Sequence, residues 1–234
     1  MKEKLYTIPV NEAFETDCEC PVCAMYRKLE TGAIEFTMGP SYMEDDVREM
    51  TSRLGFCEKH LGMLYQNQNR LGLALILQSQ MDKLMKDVEK LSSAEGKPAS
   101  SLFRKKNAPS DLTEHLHELH EACFICDRIN QTMARYIATI FHLYHTSEEF
   151  CMKLAECKGF CTSHYTALYE SAPDYLSGEE LSRFLKLLNK LYLENMKRVR
   201  DDLEWFINKF DYRYQEEPWK NAKDALPRTI QKLW

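Results

Sequence analysis

With 234 residues, 44% of them hydrophobic and 29% charged, the chain has a globular composition and enough length for one sizeable core or two small ones. A formal net charge of −5 excludes the global basic field that draws proteins to nucleic acid or anionic lipid. Eight Gly and eight Pro are too few for a loop-rich all-β protein of this size.

The first ten residues are too short and too polar for a signal peptide. The longest apolar run, Leu71 to Leu77, contains a Gly and falls far short of the ~20 residues of a membrane span. The expectation is a cytoplasmic protein that avoids membranes. In a reducing compartment, metal ligation is a better use for nine cysteines than disulfide formation.

In chain order, Asn11 is expected to cap a short helix ending near Cys18. A knuckle at Cys20-Pro21-Val22-Cys23 follows, and Met25, Leu29, Ala33 and Phe36 then predict a helix up to Gly39-Pro40. Ser41 to Glu44 has capping-box form, with Val47, Met50 and Leu54 as the stripe of the next helix. Gly55 suits the turn that ends it and brings Cys57 and His60 back. The stripe Leu73, Leu77, Met81, Leu84, Val88, Leu91 predicts a core-facing helix, and residues 93–110 have the composition of an exposed linker.

The order then repeats. Asp111 to Glu114 offers a capping box, Cys123-Phe124-Ile125-Cys126 a second knuckle, and a helix is predicted to about His145. A helix capped by Ser147 leads to Gly159-Phe160-Cys161-Thr162-Ser163-His164, which matches Gly55-Phe56-Cys57-Glu58-Lys59-His60. Leu168-Tyr169 even repeats Leu64-Tyr65. A constant offset of 103 to 104 residues marks an internal duplication. Beyond it, Ser177 and Glu180 open a long helix with apolar positions from Leu181 to Phe210, expected to pack across both copies. A tail carrying Tyr212, Tyr214, Trp219 and Trp234 is expected to dock on the bundle.

Each copy supplies three thiols and one imidazole, the ligand set of a closed tetrahedral site. In sequence, 33 residues separate Cys23 from Cys57, and 34 separate Cys126 from Cys161. Pairing each CxxC with the CxxH that follows it predicts one site from Cys20, Cys23, Cys57 and His60. The other would be Cys123, Cys126, Cys161 and His164. Closing a loop of that size costs on the order of 3 kcal/mol, against roughly 10–16 kcal/mol from a structural zinc ion. Zinc at both sites is the leading assignment, and an iron–sulfur cluster on the same ligands is the alternative.

Other candidates are weaker. A redox CxxC belongs between strand and helix, and no strand pattern is present. Cys18, Cys151 and Cys157 read as small apolar groups, although Cys157 lies one turn before Cys161 and could replace a ligand. His115, His117 and His120, with Glu114, Glu118 and Glu121, contain one ExxH unit but lack the second that a di-iron bundle needs. A solvated helix face explains that cluster. No Gly-rich phosphate loop, nucleophile elbow or HExxH motif is present, so the sequence argues against an enzyme without deciding the point.

The order Cys-Pro-x-Cys, Tyr42-Met43-Glu44-Asp45-Asp46-Val47-Arg48, Gly55-Phe56-Cys57-x-x-His60 resembles an uncharacterised bacterial domain family of unknown function. The resemblance continues through the second motif pair to Trp205-Phe206-x-x-Lys209-Phe210-Asp211-Tyr212-Arg213. Such a family, most common in anaerobic Gram-positive gut bacteria, implies the same architecture and ligand positions and gives the iron–sulfur alternative some weight. It implies no activity.

The resulting expectation is an all-α protein of two duplicated, metal-stabilised helical modules, 1–92 and 111–234, joined by a linker at 93–110. They would form a helix bundle with a long C-terminal helix and a docked aromatic tail. The expected function is that of a metal-binding adaptor with a protein partner, binding neither nucleic acid nor membrane.

Overall fold

A computed structural model describes residues 3–95 and 110–233. Eleven α-helices and two short 3-10 turns make up the secondary structure, with no strand among the described residues. The chain divides into two compact units, Met1–Lys28 with Thr132–Trp234, and Leu29–Gln131. Both unit boundaries fall inside helices.

The first unit begins with α1 (Glu3–Glu15) and the first turns of α2 (Pro21–Met38). It resumes in α7 (Phe124–Thr146) and continues through α8 (Glu148–Glu156), α9 (Thr162–Tyr175), α10 (Gly178–Asn208) and α11 (Ala225–Leu233). Helix α1 buries Val10, Ala13 and Phe14, and the Phe14 ring meets Phe150 of α8 edge-on at 4.9 Å. Asn11 is therefore mid-helix and not the expected cap. Its Nδ2 donates to the Thr7 carbonyl at 2.9 Å. Ser147 caps α8 as expected, accepting from the Phe150 amide at 3.2 Å.

The 31 residues of α10 span about 46 Å at 1.5 Å per residue. They bury Phe184, Leu188, Leu191 and Val199. Its main packing partners are α9 and α11, and its Arg198 also reaches Glu19 just ahead of the first CxxC. Phe184 meets Phe141 and Tyr144 of α7 at 5.1 and 5.0 Å, and Tyr192 stacks on Tyr165 of α9 at 4.2 Å. The aromatic tail docks in part. Trp219 faces Phe206 at 6.0 Å, and the Trp205 indole donates to the Pro218 carbonyl at 3.0 Å. Tyr212 is 83% exposed. Trp234 lies outside the described residues.

The second unit contains the rest of α2, a 3-10 turn at Pro40–Met43, α3 (Asp45–Leu54), α4 (Glu58–Gln66), α5 (Arg70–Glu95), α6 (Asp111–Glu121) and the start of α7. Helix α3 packs on α5, and the core collects Val47, Phe56, Leu64, Leu73, Ile76, Ile125 and Ile129. Two caps differ from expectation. Ser41 bonds the Phe36 carbonyl within the 3-10 turn instead of opening a capping box. Ser110, not Asp111, caps α6 by accepting from Thr113 N at 3.2 Å. Helix α5 buries Leu73 and Ile76, but Met81 farther along the expected stripe is 62% exposed. It also extends to Glu95, into the expected linker, whose residues 96–109 lie outside the described ones.

Candidate metal centre

All four half-sites are built at helix N-termini. Cys20 and Cys123 immediately precede α2 and α7, and their thiols accept the amides of Cys23 at 3.4 Å and Cys126 at 3.5 Å. Cys57 and Cys161 are the N-cap residues of α4 and α9, which places His60 and His164 one turn inside. The positive pole of each helix thus faces a sulfur and favours its thiolate form. Gly55 and Gly159, at φ 58° and 75°, supply the left-handed turns that aim these caps inward.

The eight ligand candidates form two clusters, but the halves are exchanged relative to the sequence order. Cys20 and Cys23 gather with Cys161 and His164, while Cys57 and His60 gather with Cys123 and Cys126. The expected in-copy pairing is therefore not the arrangement found, while the same eight residues make up the two groups. In the first cluster Cys23 Sγ lies 3.5 Å from Cys161 Sγ, and His164 Nδ1 lies 3.1, 3.3 and 3.6 Å from Cys161, Cys23 and Cys20. In the second, His60 Nδ1 lies 3.2, 3.3 and 3.4 Å from Cys57, Cys123 and Cys126. A backbone bond from Phe124 N to the Gly55 carbonyl at 2.9 Å joins the two halves of this second cluster.

The spacing can be compared with a metal polyhedron. Zinc–sulfur bonds of about 2.3 Å and zinc–nitrogen bonds of about 2.0–2.1 Å require tetrahedral edges of about 3.8 Å for S···S and 3.5 Å for S···N. Three S···S contacts lie at 3.5 to 4.0 Å and the S···N contacts at 3.1 to 3.6 Å, with all ligand atoms of a cluster within 4.8 Å of one another. One four-coordinate ion fits each cluster.

The proton chemistry agrees. Burial pushes the Cys20 thiol up, and its neighbours Cys161 and Cys23 push it further. Hydrogen bonds from Cys20 and Cys23 push Cys161 down, making it the favoured thiolate. Burial opposes charge on His164, yet contact with Cys161 and Cys23 outweighs it and raises the imidazole to about 9. Burial and Cys123 raise Cys126 to about 12. Protons alone must therefore be divided unevenly among these groups, whereas a dication stabilises every sulfur as thiolate.

The surroundings differ between the clusters. His60 Nε2 lies 3.1 Å from Oε1 of the buried Glu30, which also accepts from Lys59 Nζ at 2.6 Å. This carboxylate fixes the tautomer that turns Nδ1 to the sulfurs. Beside the first cluster, Lys232 of α11 is 1% exposed and donates to the Glu19 and Lys158 carbonyls at 2.6 and 2.5 Å. One ammonium thereby braces the chain entering both halves of this cluster. Neither residue was singled out from sequence. Glu30 had a legible signal, since it follows Tyr26 and precedes Ile34 by four residues on a buried stripe; Lys232 had none.

Cys18, Cys151 and Cys157 join neither cluster, and the Cys151 thiol contacts the Tyr144 carbonyl at 3.1 Å. Among the described residues His115, His117 and His120 form no metal-binding group. His115 Nε2 is 3.4 Å from Asp87, and His145 pairs with Glu180 at 3.0 Å.

The chain belongs to a family of unknown function (DUF6062), whose family model matches residues 1–234. No curated protein and no solved structure matches it.

Proposed function

We propose that the protein holds two structural zinc ions, one in each Cys3His cluster, and serves as a helical binding or adaptor module. The observation that carries the metal assignment is the ligand spacing: within each cluster all four ligand atoms lie within 4.8 Å of one another. A cluster of several irons spreads its ligands over separate metal atoms and calls for wider spacing, which weighs against the iron–sulfur alternative. Four protein ligands leave no open position for substrate, so the role favoured is structural and not catalytic.

The adaptor reading draws support from the surface. Helix α11 turns Arg228 and Lys232 toward the protein and leaves Leu226, Ile230 and Leu233 at 49, 55 and 63% exposure. Exposed apolar side chains at such spacing suit a protein partner better than a charged polymer.

Elemental analysis and a visible spectrum of protein prepared without oxygen test the proposal. Two equivalents of zinc on a colourless protein are expected. A brown protein with iron and sulfide would replace zinc by the cluster, and a metal-free protein that keeps its helicity in chelator would remove both readings.

A further inference from the structure

A cleft of 360 Å³ in the first unit is lined by Glu19, Lys158, Arg198, Lys220, Asn221, Lys223, Asp224 and Arg228. We infer that it is a binding site for a phosphoryl-bearing small molecule.

Charge carries the argument. Five of the lining side chains are cationic and two are carboxylates. Adding the ion-pair partners of the lining groups brings in Lys232, Asp17 and Asp202. Six cations then face four carboxylates, so a chain of net charge −5 concentrates two surplus positive charges around one concavity.

The surplus is located on particular side chains. Arg228 is committed to Asp202 and Asp224 at 2.8 and 2.9 Å, and Lys158 pairs with Asp17. Arg198 spends Nη2 on Glu19 at 2.5 Å and Nε on Asn195 at 3.0 Å, which leaves Nη1 without a partner among the described residues. Lys223 has no ion pair or hydrogen bond among them either. Lys220 meets no carboxylate; its ammonium sits 3.7 Å from the Trp205 ring centroid. Lys220 is also the one described non-Gly residue with positive φ, 51°.

Arg198 Nη1, the Lys223 ammonium and the Lys220 ammonium, which is held only by the Trp205 ring, together with two surplus charges match a tetrahedral dianion better than a planar monoanion. The cleft volume falls in the range that takes a small organic molecule, well beyond a bare oxyanion.

Glycerol 3-phosphate, inorganic phosphate and sodium chloride at matched ionic strength provide the test, on the full metal-loaded chain. Glycerol 3-phosphate should raise the melting temperature saturably, by roughly 5–10 °C at a hundredfold excess over its dissociation constant. Lys223→Gln combined with Lys220→Gly, which relieves the backbone while removing the ammonium, should weaken that binding at least tenfold. Zinc content should be unchanged, which separates failure here from failure of the metal reading. An equal effect from chloride, no saturation, or retained affinity in the double variant would overturn the site. Equal affinity for inorganic phosphate would overturn the organic ligand.

Discussion

Double cysteine substitutions distinguish the exchanged pairing from the in-copy one. If Cys20 and Cys161 serve one ion, Cys20→Ser with Cys161→Ser removes one site and leaves the other intact, so one metal equivalent remains. If each CxxC served the CxxH that follows it, the same pair would damage both sites. Cys20→Ser with Cys57→Ser reverses the logic and should leave none. The exchanged arrangement closes sequence separations of 138 and 63 residues, against about 34 and 35 in the in-copy scheme. Loop-closure entropy grows only with the logarithm of length, so the penalty for exchange is about 1.2 and 0.5 kcal/mol. If each site holds zinc as proposed, roughly 10–16 kcal/mol of binding per site makes that penalty small. Native mass spectrometry counts the ions directly, and far-ultraviolet circular dichroism checks that the rest of the chain stays helical. Retention of one equivalent by the Cys20/Cys57 variant, with none in the Cys20/Cys161 variant, would refute the exchange.

Four further outcomes follow from single positions. Glu30→Gln weakens the support of His60 Nε2 and should lower metal affinity at the Cys57 cluster by about 10–100-fold, with the Cys20 cluster unaffected, as measured by chelator competition. Lys232→Met leaves a buried Glu19 carboxylate supported mainly by Arg198 and two carbonyls without their donor. The expected loss is about 3 kcal/mol, a fall of roughly 6–12 °C in melting temperature. Gly159→Ala would force a side chain into φ 75° and place Cβ 2.9 Å from the Leu191 carbonyl oxygen, for a cost of about 2–3 kcal/mol in denaturant melts. Gly55→Ala, at φ 58° and ψ −155°, meets the movable Gln80 amide and should cost about 1–3 kcal/mol, mostly from the backbone.

Much of the site was legible because ligand chemistry is local. Two cysteines three residues apart at a helix start, or a cysteine and histidine so spaced, form a half-site wherever the helix goes. All eight ligand candidates could therefore be named from the sequence. Which halves meet is a property of helix lengths. Helix α2 carries the chain about 27 Å from its CxxC, and the ten residues of α3 return only about 15 Å. In the second copy α7 runs about 35 Å and α8 returns about 14 Å.

Caps were less legible than stripes. Asn11 and Ser41 have the side chains of caps, but α1 continues through Pro9 and Ser41 falls in a 3-10 turn, where tertiary packing decides the register. Helix α11 lies in a stretch that reads from the sequence only as an aromatic tail. Its charges turn inward because Glu19 and the carbonyls of Glu19 and Lys158 offer partners that no local pattern reveals.

The exchanged pairing also nests one closure inside the other, because Cys57 to Cys126 lies between Cys23 and Cys161. Once the inner cluster is closed, the effective outer loop shrinks from a separation of 138 to about 75, which lowers its closure cost by about 0.5 kcal/mol. By linkage the effect is reciprocal, so each ion should favour the other by about 2.5-fold even without any contact that couples them. Cys57→Ser with Cys123→Ser, which removes the inner site, should weaken zinc at Cys20, Cys23, Cys161 and His164 by that factor in chelator competition. A shift above tenfold would show that chain closure is not the main link and that packing transmits the coupling. Unchanged affinity would show that the outer loop is already held closed by its helices before metal arrives.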